Sequence, residues 1–281
     1  MRKIIIVLTF FAVYTAQSQD KVWDTFEGTR VLNNHSTDML YKRQMEFIVA
    51  HKFGSLGGDN AVQRFFGLDN LADVRIAFEY GITNNLNIGL GRSKGIGVLR
   101  QVADGYAKYR IFQQDSEKNW VSLTWISSTG LPYGTASSNP IAANSYDSFV
   151  ERFIFTHQLL VSRKFSDRLS CQLNAGVNHR NLVEFNDVNT LYFTGISGRF
   201  RFNSILGVLA EYNHIWNRNT GYEFQQPLSL GIELLTGGHA FTFIFSNGEG
   251  INENLFIPGT YSSWLDGEFR LGFSITRKFK V

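Results

Sequence analysis

The chain has 281 residues, 43% hydrophobic and 15% aromatic, with 27 basic and 24 acidic side chains and a single cysteine, Cys171. This near balance of charge does not imply nucleic acid as a partner, and one cysteine excludes a disulfide framework. No apolar run reaches the roughly 20 residues of a spanning helix, so insertion into a membrane has to use strands.

Met1-Arg2-Lys3 is a charged start, Ile4–Val13 an apolar stretch and Ala16-Gln17-Ser18 a small-x-small cleavage site. Residues 1–18 therefore read as a secretory signal peptide, with a mature start near Gln19. Removing it takes Arg2 and Lys3 and leaves 25 basic against 24 acidic residues. No cysteine lies near the cleavage site, so a lipid anchor is not expected. Residues 19–42 show no alternation and read as a periplasmic or lumen-entering lead segment, with a single barrel domain over 43–281.

The first strand is expected over Arg43–Phe53, where Met45, Phe47, Val49 and His51 alternate with Glu46, Ile48, Ala50 and Lys52. After a long loop, Leu71–Arg92 makes the clearest hairpin. Val74, Ile76, Phe78 and Tyr80 alternate with Asp73, Arg75, Ala77 and Glu79, and Leu86, Ile88 and Leu90 alternate with Asn87, Gly89 and Gly91 across a short turn. Period two with one apolar and one charged face is the pattern of a transmembrane barrel, apolar toward lipid and polar toward a wet lumen. The pattern recurs over Asp104–Gln113, Trp120–Ser128, Phe149–Phe165, Arg168–Arg180, Thr190–Phe202, Ile205–Trp216, Gln226–Leu235, His239–Ser246 and Trp264–Val281. Connections run long, then short, along the chain, as in outer-membrane barrels with short periplasmic turns and longer external loops. Trp120, Phe165 and Phe202 fall at short-turn ends of strands, and Tyr192, Trp216 and Trp264 near long-loop ends, as two interfacial girdles require. The fold class is thus all-β: an antiparallel up-and-down transmembrane barrel of about twelve strands. A soluble β-sandwich or secreted barrel is the competing reading.

Several stretches resemble a family of uncharacterised outer-membrane β-barrel proteins, a domain of unknown function. They are Phe26-Glu27-Gly28-Thr29-Arg30-Val31, His51-Lys52-Phe53-Gly54, Phe66-Gly67-Leu68-Asp69, Phe78-Glu79-Tyr80-Gly81-Ile82-Thr83, Gly91-Arg92-Ser93 and Arg163-Lys164-Phe165-Ser166. The resemblance runs over the mature chain. It implies an outer-membrane barrel and carries no catalytic residues.

Strand parity nominates the lumen-lining charges: Glu46, Asp73, Arg75, Glu79, Lys108, Arg110, Arg152, Arg199, Arg201, Glu211, Glu233, Glu268 and Arg270, with Lys52 beside them. Two readings stand: a paired network filling a narrow barrel, or a polar conduit whose charges select solutes. Arg199 with Arg201, and Lys108 with Arg110, read either as an anion-attracting patch or as partners of the inward glutamates. The histidines show no HxH or HExxH spacing, so no metal is expected. There is no GxSxG motif, and His-x-Ser, the lipid-facing pair of the twelve-stranded outer-membrane phospholipase A, does not occur. Cys171 falls on a lipid-facing stripe, as a small apolar filler would. No enzyme activity and no cofactor are expected. Arg64-Phe65-Phe66-Gly67-Leu68 in the first long loop is either packing at the barrel mouth or a contact for an apolar ligand or partner.

The leading expectation is a small-solute channel or transporter in the outer membrane, with lipid, the barrel-assembly machinery and small solutes as partners. The alternatives are a closed barrel with a ligand-binding or scaffolding role in an envelope complex, and a membrane-embedded enzyme. The apolar stripes carry a direct test of placement. The purified protein should require detergent for extraction and migrate differently on gels before and after heating; recovery of a monodisperse soluble form without detergent would contradict it.

Overall fold

The structure is a computed structural model, describing residues 21–281 except 58–60, 96, 98, 100 and 219–222. The signal peptide assigned to residues 1–18 lies outside the described residues. Twelve antiparallel strands close into a barrel in which each strand pairs with its sequence neighbours and β1 pairs with β12. The strands are β1 (Gln44–Ser55), β2 (Leu71–Thr83), β3 (Leu86–Gly95), β4 (Gln101–Phe112), β5 (Ser122–Pro132) and β6 (Ile154–Lys164). They continue as β7 (Leu169–Arg180), β8 (Thr190–Arg201), β9 (Leu206–Ile215), β10 (Leu228–Leu235), β11 (Ala240–Ser246) and β12 (Arg270–Lys280). A four-residue helix, α1 (Glu253–Phe256), lies in the connection between β11 and β12.

The expected parity holds. Glu46, Ile48, Ala50 and Lys52 of β1 are buried, while Phe78, Leu90, Leu173, Ile196 and Phe243 stand exposed on the outer surface. Closure places Glu46 opposite Lys278 and Lys52 opposite Gly272 in the β1–β12 register. Covering the last edge this way leaves no row of unpaired backbone groups for lipid to meet.

Two expected strands are shorter than their alternation suggested. Residues 150–152 form a 3-10 turn, so β6 starts at Ile154. Residues 264–267 form a turn, so β12 starts at Arg270. Nor is the order of loop lengths strict: the connection at 113–121 is longer than that at 96–100. The extra length of 113–121 has a local cause. The Asp115 carboxylate accepts the backbone N–H groups of Glu117, Lys118 and Asn119, which stabilises a wider turn.

Space inside is tight. A Cβ on Gly91 would lie 2.5 Å from the Arg75 guanidinium, so this inward glycine makes room for an ion pair against the wall. One on Gly231 would lie 2.4 Å from a terminal methyl of Leu32 in the lead segment, so the two pack closely here.

Parity gives a sharp comparison on β11. Phe243→Arg places a cation toward lipid and should cost about 2–4 kcal/mol. Thr242→Arg faces inward, opposite Glu233 and Ser274, and should cost less unless space is short. Unfolding titrations in lipid vesicles read both; equal losses would mean the faces are assigned wrongly.

Candidate functional site

The lumen is occupied by two stretches of chain that are not strands. The first is the lead segment, which enters at the short-turn end. There Val22 N–H donates to the Gln114 carbonyl at 2.9 Å, and Gln113 Nε2 donates to the Val22 carbonyl at 2.7 Å. It turns back at residues 31–34, where Val31 N–H meets the Asn34 carbonyl, and returns to the same end, where Lys42 N–H donates to Asn84 Oδ1. Such a segment has no sheet to satisfy its backbone, and buried backbone groups need partners. The wall supplies them. Glu211 of β9 accepts from the backbone N–H groups of Leu32, Asn33 and Asn34 at 3.3, 2.9 and 3.0 Å, and from Asn33 Nδ2 at 2.6 Å. Lys108 Nζ of β4 donates to the carbonyls of Thr29, Ser36 and Asp38 at 3.0, 3.1 and 2.9 Å. Phe26, Val31 and Leu32 pack with Leu209 and Ile244 of the wall.

The second stretch is the β11–β12 connection, which descends from the long-loop end. Lys52 Nζ donates to the carbonyls of Gly248 and Gly250 at 3.0 and 2.7 Å, and Ile251 N–H donates to Asp73 Oδ2 at 3.0 Å. Asn252 Nδ2 reaches Ser93 and Asp104, and the Thr156 hydroxyl donates to Asn254 Oδ1 at 2.7 Å. Phe256 and Ile257 bury against Leu191, Phe193 and Ile215. The two inserts meet at Glu253. Its carboxylate lies 3.3 Å from Arg30 Nη1 and 3.2 Å from His35 Nε2, all three side chains being nearly inaccessible. Between the lead segment and the wall of β1, β11 and β12 a cavity of about 40 Å³ remains, lined in part by Thr29, Glu46, Thr242 and Ser274. That is room for a few waters and not for a solute. On the long-loop side a wider cavity of about 170 Å³ is lined by residues including Asp73, Arg180, Asp187, Glu249, Leu255 and Tyr261.

Most of the nominated charges sit on this wall, engaged with an insert or with each other. Glu46 accepts the Thr29 hydroxyl at 3.0 Å, and Glu79, its cross-strand neighbour, lies 3.9 Å from Arg30 Nε. Arg75 pairs with Asp104 at 2.5 Å, and Arg199 with Glu233 at 2.6 Å. Arg201 reaches Glu27 of the lead segment at 2.9 Å, and Arg270 reaches Glu249 at 2.5 Å. Arg110 donates to the Asn84 carbonyl, and its guanidinium lies over the Trp23 ring. The positive patch is therefore not a patch: Lys108 and Arg110 are on β4, Arg199 and Arg201 on β8, and each has partners. Two nominations are corrected. Arg152 lies in the 3-10 turn before β6 and donates to the carbonyls of Pro132 and Gly134. Glu268 lies in the loop before β12 and accepts from Ser263 N–H. Both were assigned by extending an alternation past the true strand end. Sequence reasoning missed Arg30, His35, Asn252, Glu253 and Asn254, whose segments have no periodicity to place them inside. Asp104 had a signal, since it shares the parity of Lys108 and Arg110. Among the described residues no three His, Cys, Asp or Glu side chains are grouped to hold a metal ion.

Residues 26–279 match the family described as membrane bound beta barrel domain (DUF5777). The chain belongs to this family. No curated protein matches it. Among solved structures, it is similar to the KdgM porin in complex with disordered oligogalacturonate, at 9% identity and TM-score 0.50, covering 84% of this chain and 99% of that one. The NanC porin is similar at 9% identity and TM-score 0.47, covering 84% and 100%. The COG4313 outer membrane channel from Pseudomonas putida F1 follows at 12% identity and TM-score 0.48, covering 86% and 97%. These are likenesses of fold. The family assignment makes the chain a membrane-bound barrel and rules out the soluble sandwich.

The junction inside this membrane-bound barrel has its own electrostatics. Burial first, and then the Arg30 guanidinium, push the His35 imidazole down to about 4. Burial raises the Glu253 carboxyl, but His35 and Arg30 outweigh it and hold the group well below the usual carboxylate range. His35 Nε2 also lies 3.0 Å from Arg30 Nη2, so one nitrogen faces a donor and an acceptor. Carrying a proton it donates to Glu253; without one it accepts from Arg30. The pH consequence follows from a base whose folded value lies below its unfolded value near 6.5. The unfolded chain protonates first, so stability should fall by roughly 3 kcal/mol as pH drops from about 6.5 to about 4 and then level off. Unfolding midpoints of wild type and His35→Gln across that range measure it: the variant should lack this part of the slope. Parallel curves would refute the assignment.

Proposed function

We propose that the protein resides in the outer membrane, delivered by the leader at residues 1–18, and passes small solutes through a lumen that its two inserts close. Short turns then face the periplasm and long loops the exterior. The observation that carries this reading is how the inserts are held. Lys52, Asp73, Lys108 and Glu211 grip them through polar contacts with backbone groups. A barrel of about eight strands is filled by layers of its own side chains; this wider one is filled by polar chain instead. A polar wall holding polar chain is a surface that water and solutes can re-solvate, because a protein hydrogen bond to a charged group exchanged for one to water changes free energy by only about 1.5–3 kcal/mol. The inserts are thus gates, and the wall behind them is a hydrophilic conduit.

A second reading, a closed barrel with a binding or scaffolding role, is favoured by Phe65 and Phe66, which stand 60% and 48% exposed on the first long loop instead of packing against the mouth. Single-channel recording separates the two. Wild-type protein in planar bilayers should be mostly closed, and replacing residues 250–257 with a short Gly-Ser link should give larger and more frequent conductance steps. Silence from both proteins, with folding verified by heat-modifiable migration, would leave the closed barrel as the function.

A further inference from the structure

Glu253 is an odd residue to bury at the deepest point of a loop. It is 2% exposed, and placing a charge there is costly unless the surroundings are made for it. They are. Arg30 Nη1 and His35 Nε2 approach its two oxygens separately. Arg30 is itself held by the Asn33 carbonyl at 2.9 Å. Arg75 is 1% exposed; its Nε and Nη2 are bound to Asp104, while its Nη1 is buried with no hydrogen-bond partner. The flanking asparagines present groups that both donate and accept. Asn254 accepts from Thr156 and donates to Ser128 at 3.4 Å, and Asn252 donates to Ser93 and Asp104. A hydroxyl can serve each of those wall groups equally well.

We infer that the centre of the lumen is a binding site for a small solute bearing one carboxylate and several hydroxyls, and that Asn252, Glu253 and Asn254 occupy it as a built-in surrogate. This rests on the passage reading above and names its solute class. The carboxylate of the solute takes the place of Glu253 on Arg30 and His35, and its hydroxyls take the places of the asparagine amides on β3 to β6. Glu79, 3.9 Å from Arg30 Nε, and Glu46 opposite it limit the site to a single negative charge. Access is from the long-loop end, where the cavity of about 170 Å³ borders the back of the same loop at Gly250 and Leu255. Binding therefore displaces the loop, and recognition and opening become one event.

Carboxylate rescue in the full-length protein tests this. Glu253→Ala should lower the unfolding midpoint in detergent. Sodium acetate should restore most of the loss, whereas sodium chloride at the same ionic strength should not. Gluconate should do so at lower concentration than acetate, and glucose should have no effect. Arg30→Gln combined with Glu253→Ala should abolish both rescues. Equal effects of acetate and chloride, or rescue that survives the loss of Arg30, would overturn the site; gluconate no better than acetate would overturn the hydroxyl part. Should Glu253→Ala fail to fold, hydrogen exchange on wild type decides. The amides of Phe256 and Ile257, bonded to the carbonyls of Asn252 and Glu253, should exchange faster with gluconate and not with glucose, and unchanged exchange would overturn the proposal. None of these readouts uses conductance, so their failure leaves the passage reading to its own bilayer test.

Discussion

An irregular chain inside a barrel has no neighbouring strand, and its backbone groups must still be bonded. That requirement organises this protein. Three wall side chains meet part of it: Glu211 with three consecutive N–H groups of the lead segment, Lys108 with three of its carbonyls, and Lys52 with two carbonyls of the β11–β12 loop. A charged group is the right tool here. It bonds several dipoles at once, and bonds to an ion are stronger than those between neutral groups. The same requirement explains the charged inner face, which would be expensive in a barrel filled only by its own wall.

The charges do three jobs, distinguishable by partner. Some grip inserts. Others pair across the wall, as Arg75 does with Asp104 and Arg199 with Glu233. Arg30 joins all three bodies: it belongs to the lead segment, faces Glu79 on the wall and holds Glu253 of the loop. At the centre of the lumen the two inserts are thus ion-paired to each other. Glu253 is joined to the lead segment through Arg30 and His35 without passing through a strand.

Most of the barrel was legible because a sheet between lipid and a polar interior imposes a two-residue period on every strand. Phe241, Phe243 and Phe245 alternate with Thr242, Ile244 and Ser246, and the structure keeps that parity through closure. Where the period misled, it ran on past a strand, at Arg152 and Glu268. Of the two readings of the inward cations, pairing with acids is the one seen, and the sequence could not choose it: parity tells which side a residue faces but not which residue it meets there, and Arg199 meets Glu233 while Arg201 meets Glu27.

Local alternation was enough to read a barrel of about twelve strands, its two faces and the inward side of Glu46, Asp73, Glu79, Lys108 and Glu211. Only the tertiary structure decided that the lumen is filled, by which segments, and where they join. Residues 21–42 and 247–263 have no period of their own, and their conformation depends on groups far along the chain, as for Asn33 with Glu211 of the wall and Glu253 with Arg30 of the lead segment. Contacts of that range depend on how the sheet closes, and closure brings β1 against β12 only once all the strands between them are in register.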